Sequence, residues 1–160
     1  MAEIIQNHPE LSKKTAGLQA QGKKVVLADG CFDLLTVGHV RFLRAAKALG
    51  DVLVLALNDD ASVKRVRGAG RPLLPLEDRL GVLCAFEMID FLTVMPGDSA
   101  ESLLQALKPD LYARRPPAQL PAPGAFGGKV VNVPEGSDHT AEKLIAEILR
   151  KYGTVKKVRS

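Results

Sequence analysis

The chain has 160 residues, 46% hydrophobic and 25% charged, which are the proportions of one soluble globular domain with a core that needs no disulfide or metal. No apolar run approaches the ~18 residues of a membrane span, no signal-peptide pattern opens the chain, and Cys31 and Cys84 form no C-x-x-C pair. A net charge of +4 with 4% aromatics and no Trp speaks against a single-strand nucleic-acid platform and for a small phosphorylated ligand. These features together read as a reduced, cytoplasmic protein with no membrane and no nucleic-acid partner.

In chain order, "HPELSKKTAGLQAQG" predicts a short helix stopped at Gly22, and residues 1–22 are read as an N-terminal helical extension. "KVVLA" predicts a strand buried on both faces, and apolar residues recur at helical spacing from Val37 to Leu49 before Gly50. "DVLVLAL" is a second buried strand that ends in the polar "NDD". The basic stretch "VKRVRGAGRPLLP" reads as a loop, followed by a helix through "LEDRLGVLCAFEM" and a strand "IDFLTVM". A helix at "SAESLLQALK", a short strand "PDLYA", an irregular proline-rich loop and a strand "KVVNV" come next. The amphipathic helix "DHTAEKLIAEILRKYG" closes the domain over residues 23–152, leaving a basic tail at 153–160. This alternation predicts an α/β fold with a parallel sheet.

The stretch "ADGCFDLLTVGHVRFL" lies where the first buried strand meets a helix. In an open parallel sheet, ligands bind beyond the carboxyl ends of the strands. Gly30 permits close backbone approach, the helix start near Gly38 offers unpaired N–H groups and a positive dipole end to an anion, and His39 falls in its first turn. These features describe a phosphate pocket that contains an imidazole.

The segment resembles the G-x-F-D-x-x-(H/T)-x-G-H motif of cytidylyltransferase-like nucleotidyltransferases, reading here Gly30, Phe32, Asp33, Thr36, Gly38 and His39. "ALGD", "NDDASVKR" and "GRPLLPLEDR" extend the similarity toward the heptose 1-phosphate adenylyltransferase branch. The resemblance implies a Rossmann-like sheet with helices on both faces, and transfer of a nucleotidyl group, AMP favoured, from an NTP to a sugar phosphate with release of pyrophosphate. A cytidylyltransferase acting on a polyol or aminoalcohol phosphate, or a nucleotide-binding protein without turnover, stays open at this point.

On that resemblance His39 stabilises charge at the α-phosphate, with Thr36 beside it as a neutral donor. The nucleotide side comprises Gly30, Cys31, Phe32, Asp33, Gly38, Asn58 and Asp60, the basic residues Lys64, Arg65 and Arg67, and His139 and Thr140 near the last helix. Arg114 and Arg115 fall on the acceptor side, where the heptose branch carries a lysine and glycines. No metal cage is implied, Mg²⁺ being shared with the triphosphate. Arg79 either meets phosphate or pairs with Glu77 or Asp78. A homodimer and a sugar kinase on a separate polypeptide complete the expected partners.

Overall fold

The computed structural model describes residues 1–95, 97, 99–115, 126–134, 136 and 140–153. The expectations placed on His139 and on the tail beyond Gly153 lie outside the described residues.

The order of elements is β1 (Glu3–Ile4), α1 (His8–Ala20), β2 (Val25–Gly30), α2 (Val37–Lys47), β3 (Val52–Asn58) and α3 (Asp60–Arg67). There follow α4 (Leu76–Cys84), β4 (Phe91–Met95), α5 (Glu101–Leu107), β5 (Leu111–Arg114), β6 (Lys129–Asn132) and α6 (Ala141–Tyr152). All pairings are parallel, in the order β1-β4-β3-β2-β5-β6. The α/β, Rossmann-like reading therefore holds.

Alternation along the two central strands explains the layering. Val26 and Ala28 of β2 and Leu53, Leu55 and Leu57 of β3 pack in one cluster with Phe42, Leu43 and Ala46 of α2 and Leu80 and Leu83 of α4. Val25, Leu27, Val54 and Ala56 join Leu11 of α1 and Leu103, Leu104 and Leu107 of α5 in a second cluster. Both faces of the sheet are covered, as a parallel sheet requires. The chain runs from β2 outward to β3 and β4, then returns through β5 to the other side of β2. That reversal creates a crevice at the carboxyl ends of β2 and β5.

Two elements differ from the sequence expectation. Residues 63–67, read as the start of a basic loop, belong to α3. The Asp59 carboxylate caps the helix by accepting from the Ser62 N–H at 2.7 Å, Val63 anchors it in the interior, and Gly68 at φ 104° ends it. One buried apolar side chain is too little to register as periodicity. The edge strand β1 is the second: two residues long, it owes its state to pairing with Phe91 and Leu92 and is invisible locally.

Residues 1–22 supply β1 to the sheet edge and place Leu11 and Thr15 in the interior. Asn7 caps α1 by accepting from the Glu10 N–H at 3.0 Å. His8 Nε2 donates to the Val94 carbonyl at 2.9 Å, and the Ser12 hydroxyl donates to the Ala106 carbonyl at 2.7 Å, docking α1 on β4 and α5. In α6, by contrast, no residue is buried.

Candidate active site

At the end of β2 the chain makes a tight fold around Phe32, a non-glycine residue at φ 47°. Holding a side chain in the left-handed region costs about 1–3 kcal/mol and persists only where packing dictates it. The Phe32 ring is buried at 2% exposure and leans against the His39 ring, with centroids 5.4 Å apart. Gly30 makes this possible. A Cβ there would lie 2.8 Å from Phe32 Cε2 and 3.2 Å from Cδ2. The space expected to admit a ligand beside Gly30 is thus taken by a ring of the protein.

Thr36 caps α2 in extended conformation, and Gly38 and His39 sit buried in its first turn. The Thr36 N–H donates to His39 Nδ1 at 3.1 Å, with Thr36 Oγ1 at 3.0 Å from the same nitrogen. An Nδ1 that accepts a backbone N–H carries no proton, so the neutral ring holds its proton on Nε2. The imidazole is thereby fixed in position and tautomer at a helix N-terminus.

The carboxylates near the motif are engaged within the protein. Asp33, 6% exposed, takes Arg71 Nη1 on Oδ2 at 2.5 Å, and the N–H groups of Leu73 and Leu74 on Oδ1 at 2.7 and 3.0 Å. Arg79, 1% exposed, donates from Nη2 to Asp60 Oδ1 at 2.6 Å, a carboxylate other than the Glu77 and Asp78 expected for it. Its other donors reach the carbonyls of Cys31 at 2.7 Å, Asn58 at 2.9 Å and Leu74 at 3.2 Å. A buried guanidinium thus ties the ends of β2 and β3 to α3 and to the 71–74 segment. Asn58 is buried, its Oδ1 lying 3.8 Å from Cys31 Sγ and its Nδ2 3.4 Å from the Gly97 carbonyl.

The expected basic residues project from α3. Lys64, Arg65 and Arg67 are exposed, Arg65 Nη2 donating to Ser62 Oγ at 2.9 Å. Arg67 Nη1 meets Glu142 Oε1 of α6 at 3.0 Å. The Glu142 carboxyl lies below its ordinary range, chiefly through a hydrogen bond from its own backbone N–H, with Arg67 adding to the effect against partial burial. Thr140 caps α6 by accepting from the Lys143 N–H at 3.3 Å, and Arg41 of α2 donates to the Gly136 carbonyl. The Arg67–Glu142 pair brings the start of α6 beside α3, and the Arg41 bond brings Gly136 beside α2.

On the β5 side, Tyr112 donates to Asp29 Oδ1 at 2.6 Å, and Arg114 lies over the Tyr112 ring at 5.2 Å with Nε 3.9 Å from the same oxygen. Burial first, and then the Asp29 carboxylate, push the Tyr112 hydroxyl well above the ordinary tyrosine range. Arg115 reaches back across the motif, its guanidinium 5.7 Å from the Phe32 ring centroid and 5.6 Å from that of Phe42. Its Nη2 is 3.4 Å from where a Gly30 Cβ would stand. Those of the expected nucleotide and acceptor residues that are described are therefore brought to one end of the sheet.

Sequence reasoning did not single out Asp29, Tyr112, Phe42, Arg41 or Glu142. Asp29 had a usable signal, its place directly before the motif glycine. Tyr112, Arg41 and Glu142 meet partners 75 or more residues away in sequence.

The strand order and the crevice at the carboxyl ends of β2 and β5 define an α/β fold of Rossmann-like type. The model for the cytidylyltransferase-like family matches residues 27–159, and the chain belongs to that family. It is 37% identical over 150 residues to the bifunctional protein HldE of Desulfatibacillum aliphaticivorans, covering 90% of this chain and 31% of the relative. With the HldE of Geobacter metallireducens it is 40% identical over 141 residues, covering 84% and 29%. The chain thus spans about a third of the length of these relatives. Among solved structures it is similar to a lipopolysaccharide core biosynthesis protein from Thermoplasma volcanium, with TM-score 0.59, 24% identity and coverage of 70% and 97%. A pantoate-beta-alanine ligase from Francisella tularensis, in complex with an ATP analogue and beta-alanine, matches with TM-score 0.63, 14% identity and coverage of 84% and 67%. Both share the fold. No helix among the described residues is long and apolar enough to cross a membrane.

Proposed function

We propose that this domain transfers AMP from ATP to a sugar 1-phosphate, a heptose 1-phosphate in the first instance, with release of pyrophosphate. The observation that carries the reading is His39, held at the start of α2 with Nδ1 occupied by Thr36. Its Nε2 proton, together with the first-turn N–H groups of α2, serves a developing negative charge at the α-phosphate. The attacking oxygen belongs to the acceptor phosphate, which displaces pyrophosphate directly, so the protein forms no covalent bond. Its work is alignment and charge stabilisation.

In this reading Gly30, Cys31, Phe32, Gly38 and Asn58 shape the nucleotide end. Lys64, Arg65 and Arg67 of α3 and the cap at Thr140 face the triphosphate, Arg–phosphate contacts being strong and directional. Arg114 and Arg115 receive the acceptor phosphate. Among the described residues no three His, Cys, Asp or Glu side chains gather to hold a metal, and Asp33 and Asp60 each accept from an arginine. In the proposal Mg²⁺ arrives on the triphosphate and supplies further charge neutralisation there. The similarity to the HldE proteins is what supports the heptose acceptor and a role in ADP-heptose supply for lipopolysaccharide; a cytoplasmic location, a separate sugar kinase and a homodimer are further parts of the same proposal.

Pyrophosphate release is the direct test, with ATP or CTP, Mg²⁺ and heptose 1-phosphate against glycerol and aminoalcohol phosphates. The expected result is turnover with ATP and heptose 1-phosphate, reduced by about 10²–10³ in kcat in His39→Ala. Preference for CTP with a polyol phosphate would replace both the donor and the acceptor. Tight NTP binding with no turnover on any acceptor would leave a nucleotide-binding protein instead.

A further inference from the structure

The motif aspartate makes three bonds, all to the segment that follows α3. Asp33 accepts from Arg71 and from the N–H groups of Leu73 and Leu74. Leu74 is also held at its carbonyl, by Arg79 Nε at 3.2 Å. One residue of this segment is thus gripped at both backbone groups by two buried charges from different elements. Its side chain contributes little to that hold: Leu73 and Leu74 are 53% and 37% exposed. A segment with exposed apolar side chains and a bonded backbone is kept in place by its hydrogen bonds rather than by packing.

We infer that Asp33 is a positioning residue: with Arg71 and Arg79 it forms an ionic clasp that fixes residues 71–74 across the carboxyl ends of β2 and β3. The clasp thereby returns the chain from α3 at a set distance and holds the cationic face of that helix toward the site. The physical case is the burial of both ions. The side chains of Asp33 and Arg71 are 7% and 14% exposed, so their attraction is poorly screened and each has little water to turn to. Asp33 uses Oδ1 for two backbone N–H groups and Oδ2 for the guanidinium, satisfying both oxygens from one segment. Arg79 holds the Leu74 carbonyl while its remaining donors reach Cys31, Asn58 and Asp60, so the clasp is anchored to the strand ends. Asp33 acts on the nucleotide through the 71–74 segment and α3, without touching it.

The test is amide hydrogen exchange on the full chain, read at Leu73 and Leu74, in Asp33→Asn, Asp33→Ala and Arg71→Gln. Charge-assisted bonds of this kind are each strong enough that Asp33→Ala is expected to speed exchange at both amides at least about tenfold. Asp33→Asn keeps an acceptor oxygen and falls between Ala and wild type, and Arg71→Gln gives a smaller acceleration. Amides as protected in Asp33→Asn and Arg71→Gln as in the wild type would overturn the clasp, and these two milder variants decide the matter if Asp33→Ala does not fold.

A kinetic arm rests on the nucleotidyl-transfer reading above. Asp33→Asn is expected to raise the KM for NTP about tenfold and leave the KM for the acceptor phosphate unchanged, because the displaced cations face the triphosphate. A fall in kcat alone, with both KM values unchanged, is the mark of a lower folded fraction and counts against a positioning role. If the wild type turns over no acceptor, the proposed reaction fails, while the exchange arm still decides whether the clasp exists.

Discussion

The two sides of the crevice are built on different principles. At the ends of β2 and β3, charge is buried and tightly bonded: Arg79 is 1% exposed, Asp33 6% exposed, and their partners are mostly backbone groups. At the end of β5, arginines also lie on aromatic faces, Arg114 over Tyr112 and Arg115 over Phe32 and Phe42, with Arg114 Nε 3.9 Å from Asp29 Oδ1. Hydrogen-bonded ions in low dielectric have one geometry, and removing a partner leaves the other uncompensated. A guanidinium over a ring slides at small cost, since the attraction is broad. The difference teaches that the hydrogen bonds at the ends of β2 and β3 fix geometry more narrowly than the ring contacts at the end of β5 do.

The sharpest way to break this contrast is at Arg79. Arg79→Met leaves three carbonyls and Asp60 without their donor, and destabilisation of about 3–5 kcal/mol is expected in denaturant unfolding. A loss no greater than that of an ordinary surface substitution would remove the buried hub. Gly30→Ala comes next. The new methyl meets the Phe32 ring at 2.8 Å, so either Phe32 leaves its left-handed conformation or the strand end shifts, for about 1–3 kcal/mol. Activity is expected to fall further than stability, because the His39 ring loses its neighbour.

On the β5 side, Tyr112→Phe removes the bond to Asp29 and is expected to destabilise by about 1.5–3 kcal/mol, measured by thermal unfolding. Arg115→Ala forfeits about 0.5–2 kcal/mol of contact with the two rings and is expected to raise the acceptor KM more than the NTP KM. An effect confined to the NTP would move Arg115 to the nucleotide side. The smallest effect belongs to the Arg67–Glu142 link, in which both side chains are substantially exposed. The folded pKa of Glu142 is lowered, so its contribution is complete above the ordinary value of 4.5 and is lost as pH falls through the lowered value. Glu142→Gln should flatten that acid dependence in thermal unfolding, and added salt should weaken it in the wild type.

How much was legible can be judged from particular elements. The strand "DVLVLAL" announces itself because burial on both faces leaves a continuous apolar run. α3 does not, because its sole apolar interior contact is Val63 and its cap at Asp59 resembles any polar turn. The positions of Gly30, Phe32, Gly38 and His39 at a strand-to-helix junction follow from the motif. The reason for the glycine does not: the neighbour that requires it is a phenylalanine two residues on, folded back at positive φ. Asp33 reads equally well as a ligand for a nucleotide or as a tether, since one carboxylate serves either and its partners are 38 to 41 residues away.

Local chemistry determined the alternation of buried strands with amphipathic helices, and so the parallel sheet and the end at which a ligand is met. It also determined the residue types available there: an imidazole at a helix start, arginines, and a small residue at the turn. Which basic side chain lies at the surface and which is consumed inside the protein was decided by tertiary structure alone. The reason is that an ion's role depends on the company it keeps in a low-dielectric interior. Arg79 and Arg71 acquired carboxylates there, while Lys64 and Arg65 were left at the surface of α3.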